Sequence, residues 1–101
     1  MSEPEVNWYI DWQKVKASLL ELADLAEGMI AEKPRQDYLS LVAAGERGLA
    51  LDHLASWLAE DEVPISDHMR REMMLLAEVM RMTDEISHIL SSCPAVPTSR
   101  D

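Results

Sequence analysis

The sequence predicts an all-α fold, a small antiparallel bundle of about three long and two short helices. Apolar residues recur at alternating steps of three and four along most of the chain, which is the spacing of helices with one buried face. No stretch alternates apolar and polar residues with a period of two, and no hairpin turn signal is present. The length of 101 residues suits one domain with one core. We expect a single helical domain at 1–93 and a flexible, proline-containing tail at 94–101.

The first helix is predicted at 11–30. Its apolar stripe consists of Trp12, Val15, Leu19, Leu22, Ala26 and Met29. Pro4 allows an earlier start, because proline is accepted in the first turn of a helix. Lys33 and Pro34 are expected to end the helix, because the residue before a proline avoids the α region. Trp8, Tyr9 and Trp12 form an aromatic cluster, in which Trp12 is expected to anchor the helix and Trp8 to cover the end of the bundle. The alternative is that these exposed aromatic residues contact a partner or a second copy of the chain.

A short helix is predicted next, with Asp37 as its cap and Gly45 at its end. Its inward-facing residues are Tyr38, Leu41 and Val42. The following helix covers 46–61. Its predicted core face contains Ala50, Leu51, Leu54, Trp57 and Leu58.

Ser66 is predicted to cap a methionine-rich helix at 67–82, after the break at 63–65. One apolar stripe of this helix contains Met69, Met73, Leu76 and Met80, and a second contains Leu75, Val79 and Met82. Because the apolar arc is so wide, two neighbouring helices are expected to bury it. Met74 falls on the polar side, where it is expected to be an exposed contact. Thr83 is expected to cap a last short helix whose shared face contains Ile86, Ile89, Leu90 and Cys93.

The charge of the chain limits the classes of partner. Nineteen acidic residues and nine Lys and Arg residues give a formal net charge of −10. Such a surface repels nucleic acid and anionic lipid and attracts basic proteins. The sequence has no apolar run of membrane-spanning length and no signal peptide pattern, and its single cysteine is typical of a reducing compartment. We therefore expect a cytoplasmic protein without a nucleic-acid or membrane partner.

No motif for catalysis, a cofactor or a metal ion is evident. The three histidines, His53, His68 and His88, fall on different predicted helices. His68 and Glu72 are four residues apart, but one such pair is more typical of a surface contact than of a metal site. Cys93 lies on an apolar face, which favours packing over nucleophilic chemistry. A helix-turn-helix at 46–82 would lack a basic stripe. We therefore predict that the protein is not an enzyme and needs no cofactor.

The predicted helix at 46–61 carries a second, polar face. At 100° per residue, this face contains Leu49, Asp52, His53, Ser56 and Glu60, and Asp61 and Glu62 extend it past the helix end. A helix C-terminus disfavours anions, by about 0.3–1 kcal/mol each, so these three adjacent carboxylates do not serve the stability of the helix. The face is interpreted either as a solvated surface or as a ridge of carboxylates with one apolar anchor for a cationic partner.

The segment GERGLALDHLASWLAEDEVPIS, 45–66, resembles the core of the MafI-type immunity proteins of bacterial polymorphic toxin and contact-dependent inhibition systems. The resemblance covers about a fifth of the chain: a Gly-Glu turn, a helix with an acidic position, an acidic run and a Pro-Ile-Ser turn. It implies a small helical protein that binds and neutralises a cognate toxin, many of which are nucleases with basic clefts. The acidic face at Leu49, Asp52, His53, Ser56 and 60–62 would then be the binding surface.

Two other functions are compatible with the sequence. An acidic helical adaptor or secretion chaperone would bind a basic or amphipathic client segment, using the methionine-rich helix as its groove. A small enzyme subunit or a homodimeric regulator would have no charge-driven partner. The genes beside this one would separate an immunity protein from a chaperone.

Overall fold

The computed structural model describes residues 11–96, and within them the chain forms five helices and no β-sheet. The helices are α1 (Trp12–Leu25), α2 (Glu32–Ala43), α3 (Arg47–Glu60), α4 (Asp67–Val79) and α5 (Thr83–Leu90). The predicted all-α bundle is confirmed, although α2 is longer than expected, with 12 residues. None of the helices in the described part of the chain has the length and apolarity of a membrane span. The predictions for Pro4, Trp8 and Tyr9 lie outside the described residues.

α3 is the central helix, because it contacts each of the other four. Its buried residues occupy an arc of about 140° at 100° per residue rather than a narrow stripe, so several helices can pack around it. These residues are Ala50, Leu51, Leu54, Ala55 and Leu58. Trp57 was expected in this set but is only partly buried, since its position falls at the edge of the arc.

The boundary between α1 and α2 differs from the prediction. α1 ends at Leu25, and the chain then turns through Gly28, whose φ is +84°. Residues that carry a side chain disfavour this conformation. Pro34 does not end a helix but lies in the first turn of α2. Proline is tolerated there because first-turn N–H groups have no partner within the helix. Asp37 is likewise not a cap: it lies inside α2 and pairs with Lys33 at 2.8 Å.

Two helices begin at capping side chains. The Asp11 carboxylate accepts hydrogen bonds from the backbone N–H groups of Gln13 and Lys14, at 3.1 and 3.3 Å. The Ser66 hydroxyl oxygen accepts one from the N–H of Met69 at 3.0 Å, as predicted. The predicted cap at Thr83 is wrong, since Thr83 is the first residue of α5 and no side chain caps that helix.

α2, α3 and α4 end in the same conformation. The residue after each C-cap has a left-handed backbone: Gly45 at φ +83°, Glu62 at +50° and Arg81 at +60°. In this geometry, two backbone N–H groups that follow the helix donate to its last carbonyl oxygens. The residue in the left-handed conformation is normally a glycine. Only Gly45 meets that preference, so α3 and α4 end at strained residues.

Side chains of α2 and α4 form hydrogen bonds with backbone oxygens of other segments of the chain. Tyr38 on α2 is fully buried, and its hydroxyl donates to the backbone oxygen of Leu19 on α1 at 2.6 Å. The Arg70 guanidinium on α4 donates to the carbonyl oxygens of Leu90 and Cys93, at 3.2 and 2.8 Å. Arg70 therefore places a cation at the C-terminus of α5, which a helix dipole favours.

The methionine-rich helix is buried on one side only. Met69, Met73 and Leu76 lie in the core, as the first stripe predicts. Leu75 and Val79 of the second stripe are 50% and 40% exposed, so the expectation that two helices bury the whole arc is wrong. Within the described residues, α4 packs against α1, α3 and α5, and none of them covers that side. Met74 also differs from the prediction, because it is partly buried and packs against the core.

The chain after α5 returns to the loop between α3 and α4. The backbone N–H of the buried Ile65 donates to the carbonyl oxygen of Pro94 at 3.0 Å. The carbonyl oxygen of Ile65 accepts from the N–H of Val96 at 3.1 Å. The backbone of 94–96, at the start of the predicted tail, is thus paired with the domain. Residues 97–101 lie outside the described part of the chain.

Candidate partner-binding surface

The outward face of α3 brings together the residues that the helix geometry predicts. Leu49, Asp52, His53, Ser56 and Glu60 fall within about 100° around the helix axis, opposite its buried arc. We call these five residues the α3 ridge. Leu49 is 43% exposed, Ser56 and Glu60 are exposed, and Asp52 and His53 are half-buried.

The middle of the α3 ridge is held by side-chain contacts. The Ser56 hydroxyl lies 3.4 Å from Asp52 Oδ1, to which it donates. The rings of His53 and Trp57 pack with their centroids 5.3 Å apart at an angle of 58°. His53 Nδ1 is buried and has no hydrogen-bond partner among the described residues. The half-buried Trp57 thus packs against the α3 ridge through the ring of His53.

Three exposed carboxylates follow at the C-terminal end of α3. Glu60 is the last helical residue, Asp61 is the C-cap, and Glu62 takes the left-handed conformation. We call these three residues the acidic turn. The N–H of Glu62 donates to Ala59 at 3.0 Å and that of Val63 to Leu58 at 2.9 Å, which closes the helix.

The acidic turn combines two unfavourable features. A left-handed backbone costs a residue with a side chain roughly 1–2 kcal/mol relative to its right-handed form. Each anion at a helix C-terminus costs about 0.3–1 kcal/mol more, less where salt screens it. Glu62 has both the left-handed backbone and the negative charge at the helix end. A glycine at this position would have neither the strain nor the charge. Strain of this kind persists where the surrounding structure fixes it, and it occurs often at functional sites.

The carboxylates of the acidic turn have no cationic partner among the described residues. The ion pairs within the described residues are Lys33–Asp37, at 2.8 Å, and Arg35–Asp24, at 3.7 Å. Both pairs are formed by residues of α1 and α2. The three carboxylates of the acidic turn are therefore not engaged in ion pairs within 11–96.

The sequence did not predict a groove at the opposite end of α3. It has a volume of about 550 Å³ and is lined by the first residue of α1, the start of α3 and the end of α4. Its main side chains are Trp12, Arg47, Leu49, Val79, Arg81 and Met82. The Arg47 guanidinium lies 4.8 Å from the centre of the Trp12 ring. We call this feature the Trp12 groove; Leu49 belongs both to it and to the α3 ridge.

The described residues do not assemble a metal site or an activated nucleophile. No three His, Cys, Asp or Glu side chains within 11–96 lie close enough to hold a metal ion. Burial raises the pKa of the Cys93 thiol, and the nearby Arg70 only partly opposes this effect. A raised pKa keeps a thiol protonated and unreactive at neutral pH.

Comparison with protein-family models, curated proteins and solved structures finds no match to the chain.

Proposed function

We propose that this protein is an immunity protein of the MafI type, which binds and neutralises a cognate bacterial toxin in the cytoplasm of the producing cell. The observation that carries the proposal is the acidic turn. Three exposed carboxylates stand where the helix dipole opposes them, and one of them is in a strained backbone conformation. A partner that supplies cations to this turn would explain both features.

The charge of the whole chain supports the same partner. A formal net charge of −10 steers a basic protein toward the acidic surface and speeds the encounter. A nuclease must carry a basic cleft to hold phosphate, so a nuclease toxin fits this surface best. The acidic turn would occupy that cleft or a basic surface beside it.

The α3 ridge supplies the other part of the contact. Leu49 is an exposed apolar side chain, and burying it against a partner would add hydrophobic stabilisation to the contact. Asp52, His53 and Ser56 lie between Leu49 and the acidic turn on the same face. We assign Leu49 and these three residues to the centre of the interface and the acidic turn to its charged end.

The alternative, an acidic adaptor or secretion chaperone, has less support. It uses the methionine-rich helix as a flexible groove, but Met69 and Met73 are buried in the core of the bundle. Those side chains could contact a client only if α4 left the bundle. A client segment would therefore have to contact the exposed Leu75 and Val79 of this helix, not its buried methionines.

Co-expression tests the proposed function. The chain is produced in a bacterial host together with the toxin domain encoded beside its gene, and growth and complex formation are measured. We expect growth to be restored and the two proteins to purify as one complex. A toxin that still kills the host, with no complex formed, would contradict the proposal. A complex with a flanking secreted effector that is not toxic would favour the chaperone.

A further inference from the structure

The outward side of α4 carries apolar and charged side chains that no other helix within 11–96 covers. His68, Arg71, Leu75, Glu78 and Val79 fall within about 100° around the helix axis, and all five are exposed. We call these five residues the α4 face. Leu75 is the most exposed large apolar side chain in the described part of the chain, at 50%.

The apolar part of the α4 face continues onto α1 and α3. Val79, which is 40% exposed, lies beside Leu75 in a depression between α1 and α4 and also lines the Trp12 groove. Two further exposed side chains of that groove are Trp12, at 41%, and Leu49, at 43%. Contiguous exposed apolar surface is uncommon on soluble monomers and usually marks a place where another surface docks.

The charges on and beside the α4 face are balanced, unlike those of the whole chain. Arg71 and Glu78 lie on the face, and Lys14 and Glu72 line the depression next to it. Neither Arg71 nor Glu78 forms an ion pair within the described residues. Two copies of a chain with a formal net charge of −10 repel each other over most of their surface. A locally neutral face is therefore the place where a second copy can approach.

The order of residues along the α4 face makes it complementary to itself. Arg71 and Glu78 are seven residues apart, so they differ by only about 20° around the helix and by about 10.5 Å along it. Leu75 lies about 6 Å from Arg71 along the axis, within about 1 Å of the midpoint between the two charges. When two such faces meet in antiparallel orientation, each Arg71 lies opposite a Glu78 and the two Leu75 side chains meet at the centre. A two-fold symmetric contact requires this kind of self-complementary surface.

We propose that the α4 face is the interface of a two-fold symmetric dimer, in which a second copy of the chain packs its own α4 antiparallel across Leu75. Arg71 of each chain pairs with Glu78 of the other, and Val79 extends the apolar contact toward the Trp12 groove. The inference does not depend on the proposed function. The acidic turn contains none of these residues, so its proposed role in binding a toxin does not require the dimer.

Sedimentation equilibrium of the full-length chain tests whether the dimer forms. One helix face with its neighbours is smaller than the interface of a permanent dimer, so we expect a reversible dimer with a Kd on the order of 10–100 µM. The average mass should rise from 11.4 kDa toward twice that value as the concentration increases through this range. A mass of 11.4 kDa up to about tenfold above this range would overturn the proposal and leave the α4 face to a different protein.

A substitution at the centre locates the interface. Leu75→Asp should abolish the dimer, because it places two carboxylates against each other at the symmetry axis. The matched control is Leu20→Asp on α1, since Leu20 is also exposed, at 39%, and the change adds the same charge. We expect the control to keep the Kd of the parent chain. A dimer that survives Leu75→Asp, or that Leu20→Asp weakens equally, would overturn the assignment.

A charge swap tests the antiparallel pairing of Arg71 with Glu78. Arg71→Glu and Glu78→Arg should each raise the Kd at least about tenfold, because each change creates two like-charge contacts in a symmetric dimer. The first change makes the chain more acidic and the second makes it less acidic, so net charge alone cannot weaken the dimer in both. The double variant restores both pairs and the net charge, so its Kd should return to within about threefold of the parent value. A double variant that dimerises no better than the single variants would overturn the pairing.

Circular dichroism shows whether each variant keeps its helices. If Leu75→Asp fails to fold, the comparison of the two single charge variants with the double variant decides the proposal, because both positions are exposed.

Discussion

Tyr38 carries a hydroxyl group into the centre of a core that contains no buried charged side chain among the described residues. Its hydroxyl donates a hydrogen bond to the backbone oxygen of Leu19, so the buried O–H group has a partner. We predict that Tyr38→Phe lowers the free energy of unfolding by about 0.5–1.5 kcal/mol, the net value of one hydrogen bond, because the Leu19 oxygen lies inside α1 and keeps its place in the helical hydrogen-bond ladder. Urea denaturation at neutral pH measures the loss. An unchanged midpoint would show that this hydrogen bond contributes nothing to stability.

Tyr38 also makes stability depend on pH in the alkaline range. Burial raises the pKa of its phenol far above the ordinary value. The folded state therefore holds the proton while the unfolded state begins to release it near pH 10. This contribution is complete below the unfolded pKa and is lost as the pH rises toward the folded value, by up to about 1.4 kcal/mol per pH unit.

The pH prediction is tested by urea denaturation between pH 9 and 11 in a Cys93→Ala background, because the pKa of the Cys93 thiol is also raised. The chain with Tyr38 should lose stability more steeply than the Tyr38→Phe variant as the pH increases. Parallel curves for the two proteins would show that Tyr38 ionises equally well in the folded state.

At the scale of the helices, the ends of α3 and α4 allow a paired comparison. Both end at a left-handed residue with a side chain, Glu62 in α3 and Arg81 in α4. Glycine should relieve strain at both positions, so we predict that each substitution raises the free energy of unfolding by up to about 1 kcal/mol. Glu62→Gly should stabilise more, because it removes an unfavourable anion from a helix C-terminus while Arg81→Gly removes a favourable cation.

Thermal denaturation of the two glycine variants measures this difference. Gly45→Ala serves as the converse control, because it introduces a side chain at φ +83° and should destabilise the end of α2. If Glu62→Gly were less stable than the parent, the acidic turn would contribute to the fold, and the case for a partner there would weaken.

The sequence predicts the helices better than their ends. Periodicity locates all five helices, Ser66 marks the start of α4, and Gly45 marks the end of α2, since these residues act through local hydrogen bonds and backbone preference. Pro34 misleads because proline disfavours a helix interior but fits a first turn equally well. The left-handed ends at Glu62 and Arg81 carry no such signal, because their side chains do not favour that conformation.

At the scale of the whole molecule, the two ends of α3 have opposite character. The acidic turn lies at one end, and the apolar Trp12 groove with its two arginines lies at the other. Helix geometry alone places the residues of the α3 ridge on one face, so the sequence could predict the ridge. The groove depends on how α1, α3 and α4 meet. Its trace in the sequence is the second apolar stripe of the methionine-rich helix, from which Val79 and Met82 line the groove.

The central claim is that the acidic turn serves a cationic partner and not the fold. Neutralising it with Glu60→Gln, Asp61→Asn and Glu62→Gln should leave the helices intact and raise stability by a few tenths of a kcal/mol per charge. The matched control removes the same charge from exposed carboxylates elsewhere, with Glu21→Gln, Glu27→Gln and Glu85→Gln. This pair separates a local contact from an effect of net charge alone.

The most direct measurement is the association rate constant with the adjacent-gene toxin, recorded by stopped flow over a range of salt concentrations. We predict that the acidic-turn variant associates more slowly than the control variant at low salt. Its association rate should also depend less on ionic strength, because the steering charges at the contact are gone. Identical rates and salt dependences for the two variants would contradict the claim and leave the acidic turn as a solvated loop.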